Sequence, residues 1–230
     1  MKLGCWTPVE YFGVSDGWQA EALDADAFRV CLAGQEQGRV RWELLGRHNQ
    51  VNALAAIAAA HHTGVDAGIA CEALGRFSNV KRRMELRGTA GGVAVYDDFA
   101  HHPTAIATTV AGLRHKVGKS RILAVLEPRT NTMKLGVIRA ALPGSLAEAD
   151  LVYCYSANLG WNPAEALASL GAKAVCHDDL DSLIAAIVAE AKPGDQVLIM
   201  SNGGFGGIHQ KLLDRLNAAI GLPKCSPPGR

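Results

Sequence analysis

Hydrophobic spacing changes character along the chain. Up to about residue 46 the apolar positions come in short β-type runs, "FRVCLAG" and "GRVRWELLG", joined by the polar "QEQ" in the pattern of a hairpin. From Asn49 the period lengthens: Val51, Leu54, Ala55 and Ala58 fall at helical spacing, and Gly64 closes the helix after His61 and His62. A second helix, about residues 66–77, follows the "GVD" start. The cationic "SNVKRRMELRG" has no apolar periodicity and reads as a connection leading into a strand.

Beyond it, apolar runs alternate with amphipathic stretches. Strands are expected near 84–87 and over "GVAVYDD", "RILAVLE", "DLVYCYS", "AKAVCH" and "DQVLIMS". Helices are expected over 103–116, near 140–148, from 163, over 180–191 and from about 207 to 219. Continuous apolar strands between amphipathic helices indicate parallel strands covered on both faces, hence a doubly wound α/β domain. Ligands on such a sheet sit outside the carboxyl ends of its strands, which directs attention to the residues just after each one.

Composition narrows the classes. With 49% hydrophobic residues over 230 positions the chain can bury a core, as a soluble globular protein of one large or two small domains. Lys and Arg number 23 against 22 Asp and Glu, so no general field draws nucleic acid or anionic lipid, and any bound anion must be held locally. Cys5, Cys31, Cys71, Cys154, Cys176 and Cys225 are scattered without a CxxC pair, which argues against a disulfide framework or a zinc knuckle and suits a reducing cytoplasm. No apolar run precedes Cys5 to suggest a leader or lipid anchor, and "ALAAIAAAHH" falls short of the roughly 18 residues of a membrane span.

The strand ends carry the candidate chemistry. After "VAVY" come Asp97 and Asp98, with Pro103 placed to start a helix. An aspartate there can accept ribose hydroxyls or hold a water of hydrated Mg²⁺. His101 and His102 are adjacent and would point apart, which disfavours a shared zinc ion; one capping the helix and one exposed is the plain alternative. After "RILAVLE" the loop "PRTNT" offers the Arg129 fork, matched to a carboxylate or else satisfied by Glu127 on the surface. After "DQVLIM" the loop "SNGGFGG" lets backbone approach a ligand at a helix start; it is not GxGxxG and has no acidic partner about 20 residues on, so a dinucleotide fingerprint is a poor match. In "GRHNQVN", Asn49 and Asn52 share one helical edge and could present an amide to adenine, or Asn49 could simply cap the helix. In "KRRME", Arg83 could reach a phosphate, while Lys81, Arg82 and Arg87 read as a solvated face.

Taken in order, "GRHNQVNALAAIAAA", "NVKRRMELRG", "VYDDFAHHPTAI", "EPRTNTMKLG" and "MSNGGFGGIH" resemble the Mur ligase superfamily over nearly the whole chain. That resemblance implies residues 1–81 as the last part of a central ATPase domain, 82–225 as a C-terminal Rossmann-like domain, and 226–230 as a loose tail. It implies ATP and Mg²⁺ as cofactors and ATP-dependent amide formation through an acyl phosphate, in a cytoplasmic ligase of peptidoglycan recycling. The substrates implied are UDP-N-acetylmuramate and the muropeptide L-alanyl-γ-D-glutamyl-meso-diaminopimelate, with no nucleic acid or membrane partner. His48, Asn49, Asn52, Arg83 and Asp97 match the nucleotide side, and Asp98, His101, Arg129, Asn131, Asn202, Gly203 and Gly204 the incoming-substrate side. No GxxGK[ST] phosphate loop occurs in the 230 residues, so catalytic residues and a metal site are not expected here and the chain alone is expected to be inert; a non-catalytic muropeptide- or nucleotide-binding module is the alternative.

Overall fold

The computed structural model describes residues 6, 8–24, 26–42, 44, 46–78, 80–129 and 138–220. The chain forms two compact units, residues 1–79 and 80–230.

In the first unit β1 (Trp18–Ala22), β2 (Ala27–Leu32) and β3 (Gln35–Arg41) make an antiparallel sheet in chain order. Their hairpin does not turn at "QEQ", where polarity points. Leu32 pairs directly with Gln35, so the loop is Ala33–Gly34, both with positive φ (48° and 79°), the backbone that matches strand twist in a two-residue turn. The polar Gln35, Glu36 and Gln37 lie inside β3, and β1 escapes sequence reading because "WQAEA" shows no strong pattern. Two helices, α1 (Arg47–His62) and α2 (Ala67–Gly75), cover one face. Leu54, Ile57 and Ala58 of α1 pack with Trp18, Phe28, Val30 and Val40 of the sheet. Asp66 caps α2, accepting the Ile69 N–H at 3.1 Å. Asn49 does not cap α1: Gly46 holds that position, and the Asn49 N–H already donates to its carbonyl at 3.0 Å.

The second unit is a six-stranded sheet in the order β4-β5-β9-β6-β7-β8. Its strands are β4 (Glu85–Ala90), β5 (Val93–Asp98), β6 (Ile122–Leu126), β7 (Leu151–Tyr155), β8 (Ala174–His177) and β9 (Gln196–Met200). Five run parallel; edge strand β4 is antiparallel, folded back onto β5 through Gly91–Gly92, whose φ values of 56° and 78° no ordinary side chain favours. The helices are α3 (Pro103–Val117), α4 (Leu142–Ser145), α5 (Pro163–Ala166), α6 (Leu180–Glu190) and α7 (Ile208–Ile220).

Alternate strand residues feed two cores. Ala124, Leu126, Val152 and Leu198 meet Ile106, Val110 and Leu113 of α3 and Leu142 of α4 on one face. Leu123, Val125, Val197 and Ile199 meet Leu183 and Ile187 of α6 and Leu212 and Leu216 of α7 on the other. Burial on both faces is why these strands read as unbroken apolar runs. The helices expected near 140–148 and from 163 shrink to single turns, the second followed by a turn at Ala168–Lys173 that Gly171 (φ 59°) interrupts.

Candidate functional site

The parallel register brings four strand ends to one edge. Asp98 lies level with Met200, Met200 with Leu126, and Leu126 with Cys154. The connection leaving β6 leads to its neighbour β7 on one side, while α7, which comes after β9, packs over β4 and β5 on the other. Adjacent strands β9 and β6 therefore send their chains opposite ways, the switch point at which open α/β sheets leave a crevice.

At that edge one polar network joins three loops. Asp97 is 3% exposed and Arg82 reaches it, Nε donating to Oδ1 at 3.3 Å. The same guanidinium donates through Nη2 to the Gly203 carbonyl at 2.8 Å and to the Ser201 carbonyl. His209, in the first turn of α7, places Nε2 3.3 Å from Asp97 Oδ1. Burial pushes the Asp97 carboxyl up, but His209 and then Arg82 outweigh it and hold it below the usual aspartate value. Asp98 is 2% exposed and accepts the N–H groups of Met84 and Ala100, each at 2.8 Å, and the Thr109 hydroxyl at 3.2 Å. Burial dominates there, and its carboxyl is raised.

These placements add internal partners to the aspartate pair. Asp97 is expected to meet ribose and Asp98 a substrate; in this structure both are buried with oxygens engaged by the protein, where the hairpin β4–β5 and helix α3 close over the end of β5. Arg82, expected on a solvated face, is the residue that ties the edge together. Its neighbours Lys81 and Arg83 are exposed, and nothing local in the cationic run distinguishes it. His209 and Ser201 escape sequence reading for a similar reason: their partners are distant in the chain.

Arg129 stands at the mouth of the crevice. Its side chain is 54% exposed and its Nη1 lies 4.0 Å from Glu127 Oε1, too far for Glu127 to satisfy it. The other Glu127 oxygen accepts the Ser201 hydroxyl. Glu127, Pro128 and Arg129 line a cleft of about 190 Å³ together with Tyr155, Ala157 and Asn158 from the end of β7. Arg129 rests directly on Gly203: a Cβ there would fall 2.5 Å from Nη1 and 2.7 Å from Cδ and Cζ. Tyr155 in turn packs on Phe205, ring centres 5.6 Å apart. So Arg129, Gly203 and the β7 end form one surface, with the Arg82 network directly beneath Gly203.

The remaining candidates divide. His101 turns back to its own loop, Nδ1 2.8 Å from the Phe99 carbonyl, and its ring meets Phe99 edge-on. His102 occupies the cap position of α3 but makes no side-chain capping bond, so that expectation holds in place only. Asn202 buries Oδ1 without a hydrogen-bond partner, and Gly204 is exposed beside it. Arg83 is exposed at the entry to β4. His48, Asn49 and Asn52 lie in the first unit on the opening turns of α1, with His48 and Asn52 exposed and Asn49 half-buried. Asn131 lies outside the described residues.

Of the implied cofactors, Mg²⁺ finds no ready site among the described residues. Asp97, Asp98 and Glu127 are each committed to internal donors, and among the described residues no three His, Cys, Asp or Glu side chains gather as a metal cluster.

The aspartate pair gives a pH prediction. A carboxyl held low in the fold stabilises it above the unfolded-state value, and that contribution is lost as pH falls through the folded value; Asp98, held high, has the opposite sign. Asp97→Asn should therefore flatten the acid limb of the stability curve below about pH 4. Urea unfolding at steps from pH 6 to pH 3 checks this; a variant curve parallel to the parent's removes Asp97 as a contributor.

Residues 82–203 match the family model described as Mur ligase, glutamate ligase domain. The UDP-N-acetylmuramate–L-alanyl-γ-D-glutamyl-meso-2,6-diaminoheptandioate ligase of Escherichia coli (strain K12) is 52% identical over 220 residues, covering 94% of this chain and 48% of the relative. The Haemophilus influenzae protein of the same description is 49% identical, covering 94% and 49%. The chain thus spans about half the length of these curated relatives. Among solved structures, a murein peptide ligase from Psychrobacter arcticus 273-4 superposes with a TM-score of 0.67 at 42% identity, covering 87% of this chain and 44% of that one. A UDP-N-acetylmuramate–alanine ligase from Thermotoga maritima gives 0.74 at 23% identity, over 88% and 46%, a likeness of fold.

Proposed function

Because the chain belongs to the Mur ligase family, the family model matching more than half of it, we propose that it is the substrate-closing portion of an ATP-dependent amide-forming ligase of peptidoglycan recycling. The complete enzyme would join UDP-N-acetylmuramate to L-alanyl-γ-D-glutamyl-meso-diaminopimelate, the reactants named in its relatives at 52% and 49% identity. One observation carries this chain's share: Arg129, half-exposed and loosely paired, is seated on Gly203 at the switch-point cleft. A guanidinium so placed offers its fork to a peptide carboxylate.

A free carboxylate is a poor acyl donor because its leaving group would be oxide. Transfer of the γ-phosphoryl group makes the acyl phosphate, which the peptide amine attacks as phosphate leaves. Mg²⁺ would neutralise charge on the transferring group, and the ligands for it would come from outside these residues. This chain's part is to bind and orient. Arg129 and the Asn202–Gly204 loop hold the peptide, Tyr155 and Asn158 wall the cleft, and His48, Asn49 and Asn52 meet the adenine. Asp97, the expected ribose acceptor, also anchors Arg82. With no GxxGK[ST] loop in its 230 residues, the chain by itself binds without turnover, which is also what favours the binding-module reading.

Calorimetry with the tripeptide tests the assignment. Arg129→Ala should weaken binding about tenfold to a hundredfold, the worth of one charge-assisted pair. Gly203→Ala, which displaces Arg129 while leaving its charge, should weaken it by about tenfold. Affinities unchanged in both variants remove the cleft from the peptide site, and phosphate release from ATP above background removes the inert reading.

A further inference from the structure

We infer that Arg82 is a positioning residue, the clasp that sets the shape of the 201–204 loop and through it the seat of Arg129. No motif assigns it, and its side chain, 27% exposed, is not among the residues that line the cleft. Its backbone takes φ 61°, left-handed for a non-glycine residue, with Met84 beyond it at 51°. That turn is held at both ends: the Arg82 N–H donates to Glu85 Oε2 at 2.9 Å, and its carbonyl accepts the Phe99 N–H at 2.9 Å.

The bent backbone aims the side chain under the glycine loop. Arg82 Nε takes Asp97, Nη2 takes the carbonyls of Ser201 and Gly203, and Cζ sits 5.2 Å from the centre of the Phe99 ring. One planar fork therefore joins the entry to β4, the end of β5, the loop after β5 and the loop after β9. Ser201 closes the far side: its hydroxyl accepts the Gly203 N–H at 3.0 Å and donates to Glu127 at the end of β6. Gly203 is thus fixed from below by Arg82 at its carbonyl and from the side by Ser201 at its amide, while Arg129 lies on its open face. Without the fork the Ser201 carbonyl loses its described side-chain donor and the Gly203 carbonyl keeps only a long 3.5 Å contact from the Ser201 hydroxyl, so the platform under Arg129 is free to tilt. A lysine cannot substitute, since an ammonium is a point donor and cannot span a carboxylate and two carbonyls at once.

The functional half of this inference rests on the peptide-binding reading above; the structural half does not. The test uses the full 230-residue chain as Arg82→Ala, Arg82→Lys, Arg129→Ala and the Arg82→Ala/Arg129→Ala double variant, with circular dichroism to establish folding. Hydrogen exchange at the amides of 202–207 should rise more than tenfold in Arg82→Ala with β6 and β7 unchanged. Tripeptide affinity should fall about tenfold in both Arg82 variants, lysine giving no rescue. The double variant should bind within about twofold of Arg129→Ala, because Arg82 acts through Arg129. Parent-like affinity in Arg82→Ala beside a weakened Arg129→Ala overturns the clasp and leaves the peptide reading intact, as does multiplication of the two losses. If Arg129→Ala itself binds like the parent, the peptide reading fails, and the exchange at 202–207 alone decides the clasp, unchanged rates overturning it. Should Arg82→Ala not fold, Arg82→Lys supplies the same comparisons.

Discussion

Replacing Arg121 with alanine should lower the unfolding free energy of the 80–230 unit by about 3–5 kcal/mol, the cost of stranding a buried charge. Asp195 is 3% exposed, and Arg121 grips it with both arms of the fork, Nε to Oδ1 at 2.9 Å and Nη2 to Oδ2 at 2.7 Å. The same side chain reaches the Glu190 carboxylate at 3.1 Å and its carbonyl at 3.0 Å. Those contacts, led by the Asp195 hydrogen bond, raise the guanidinium further above its already high value, so Arg121 stays charged at any working pH. Backbone bonds radiate from this corner: Gln196 N–H to the Arg121 carbonyl at 2.9 Å, and Ala94 N–H to the Asp195 carbonyl at 3.0 Å. The starts of β5, β9 and β6 are registered there, at the opposite end of the sheet from the cleft. Arg121→Lys should recover part of the loss, because a point charge can pair with Asp195 but not match both oxygens. Urea unfolding monitored by far-ultraviolet circular dichroism reads the change; a shift below about 1 kcal/mol in Arg121→Ala would show that Asp195 finds another partner.

Trp18→Ala should cost the first unit a similar about 3–5 kcal/mol through lost burial and the cavity left behind. Trp18 is fully buried, between Phe28 and Val30 of the sheet and Leu54 and Ile57 of α1. Its indole N–H donates to Glu10 Oε2 at 2.7 Å, the first cause of that carboxyl lying below the usual glutamate value, and its ring meets His61 edge-on at 5.2 Å. Trp18→Phe keeps most of the packing and drops the hydrogen bond, so it should cost far less. Hydrogen exchange separates the units: protection over 27–41 and 47–62 should collapse in Trp18→Ala while β6 and β9 keep theirs. Protection retained in α1 would mean that the helix does not depend on this side chain.

The sheet is legible in the sequence because burial on both faces writes itself into the strands. "RILAVLE" and "DQVLIM" admit no other fate than a covered strand, and the helices at Pro103 and Leu180 announce their starts through proline at the first position and Asp179 as a cap accepting the Ser182 N–H at 2.7 Å. The turns near 142 and 163 are shorter than their sequence suggests, since Gly171 and the loops around them break a pattern that composition alone would extend. Polarity points to "QEQ" as the hairpin turn, yet turn geometry is a matter of φ, and Ala33–Gly34 takes it.

The candidate site is legible as a place and less so as a set of roles. Strand-end residues gather on one edge because parallel strands share a direction, so Arg129, Asn202, Gly203 and the aspartates can be found from their positions just past the strands. Which of them face outward depends on partners far along the chain. Asp97 turns inward because Arg82 and His209 converge on it from 15 residues before in the chain and from α7, and Asp98 because Met84, Ala100 and Thr109 surround it. The same distance explains Arg82 itself: in "KRRME" three cations look alike, and only the left-handed turn at residue 82 sends one of them beneath the glycine loop. Local periodicity and chain direction, which act over a few residues, determined the layers and the edge that carries the chemistry; the orientation of each polar side chain was decided by hydrogen-bond partners up to 121 positions away, whose convergence exists only once the sheet has closed.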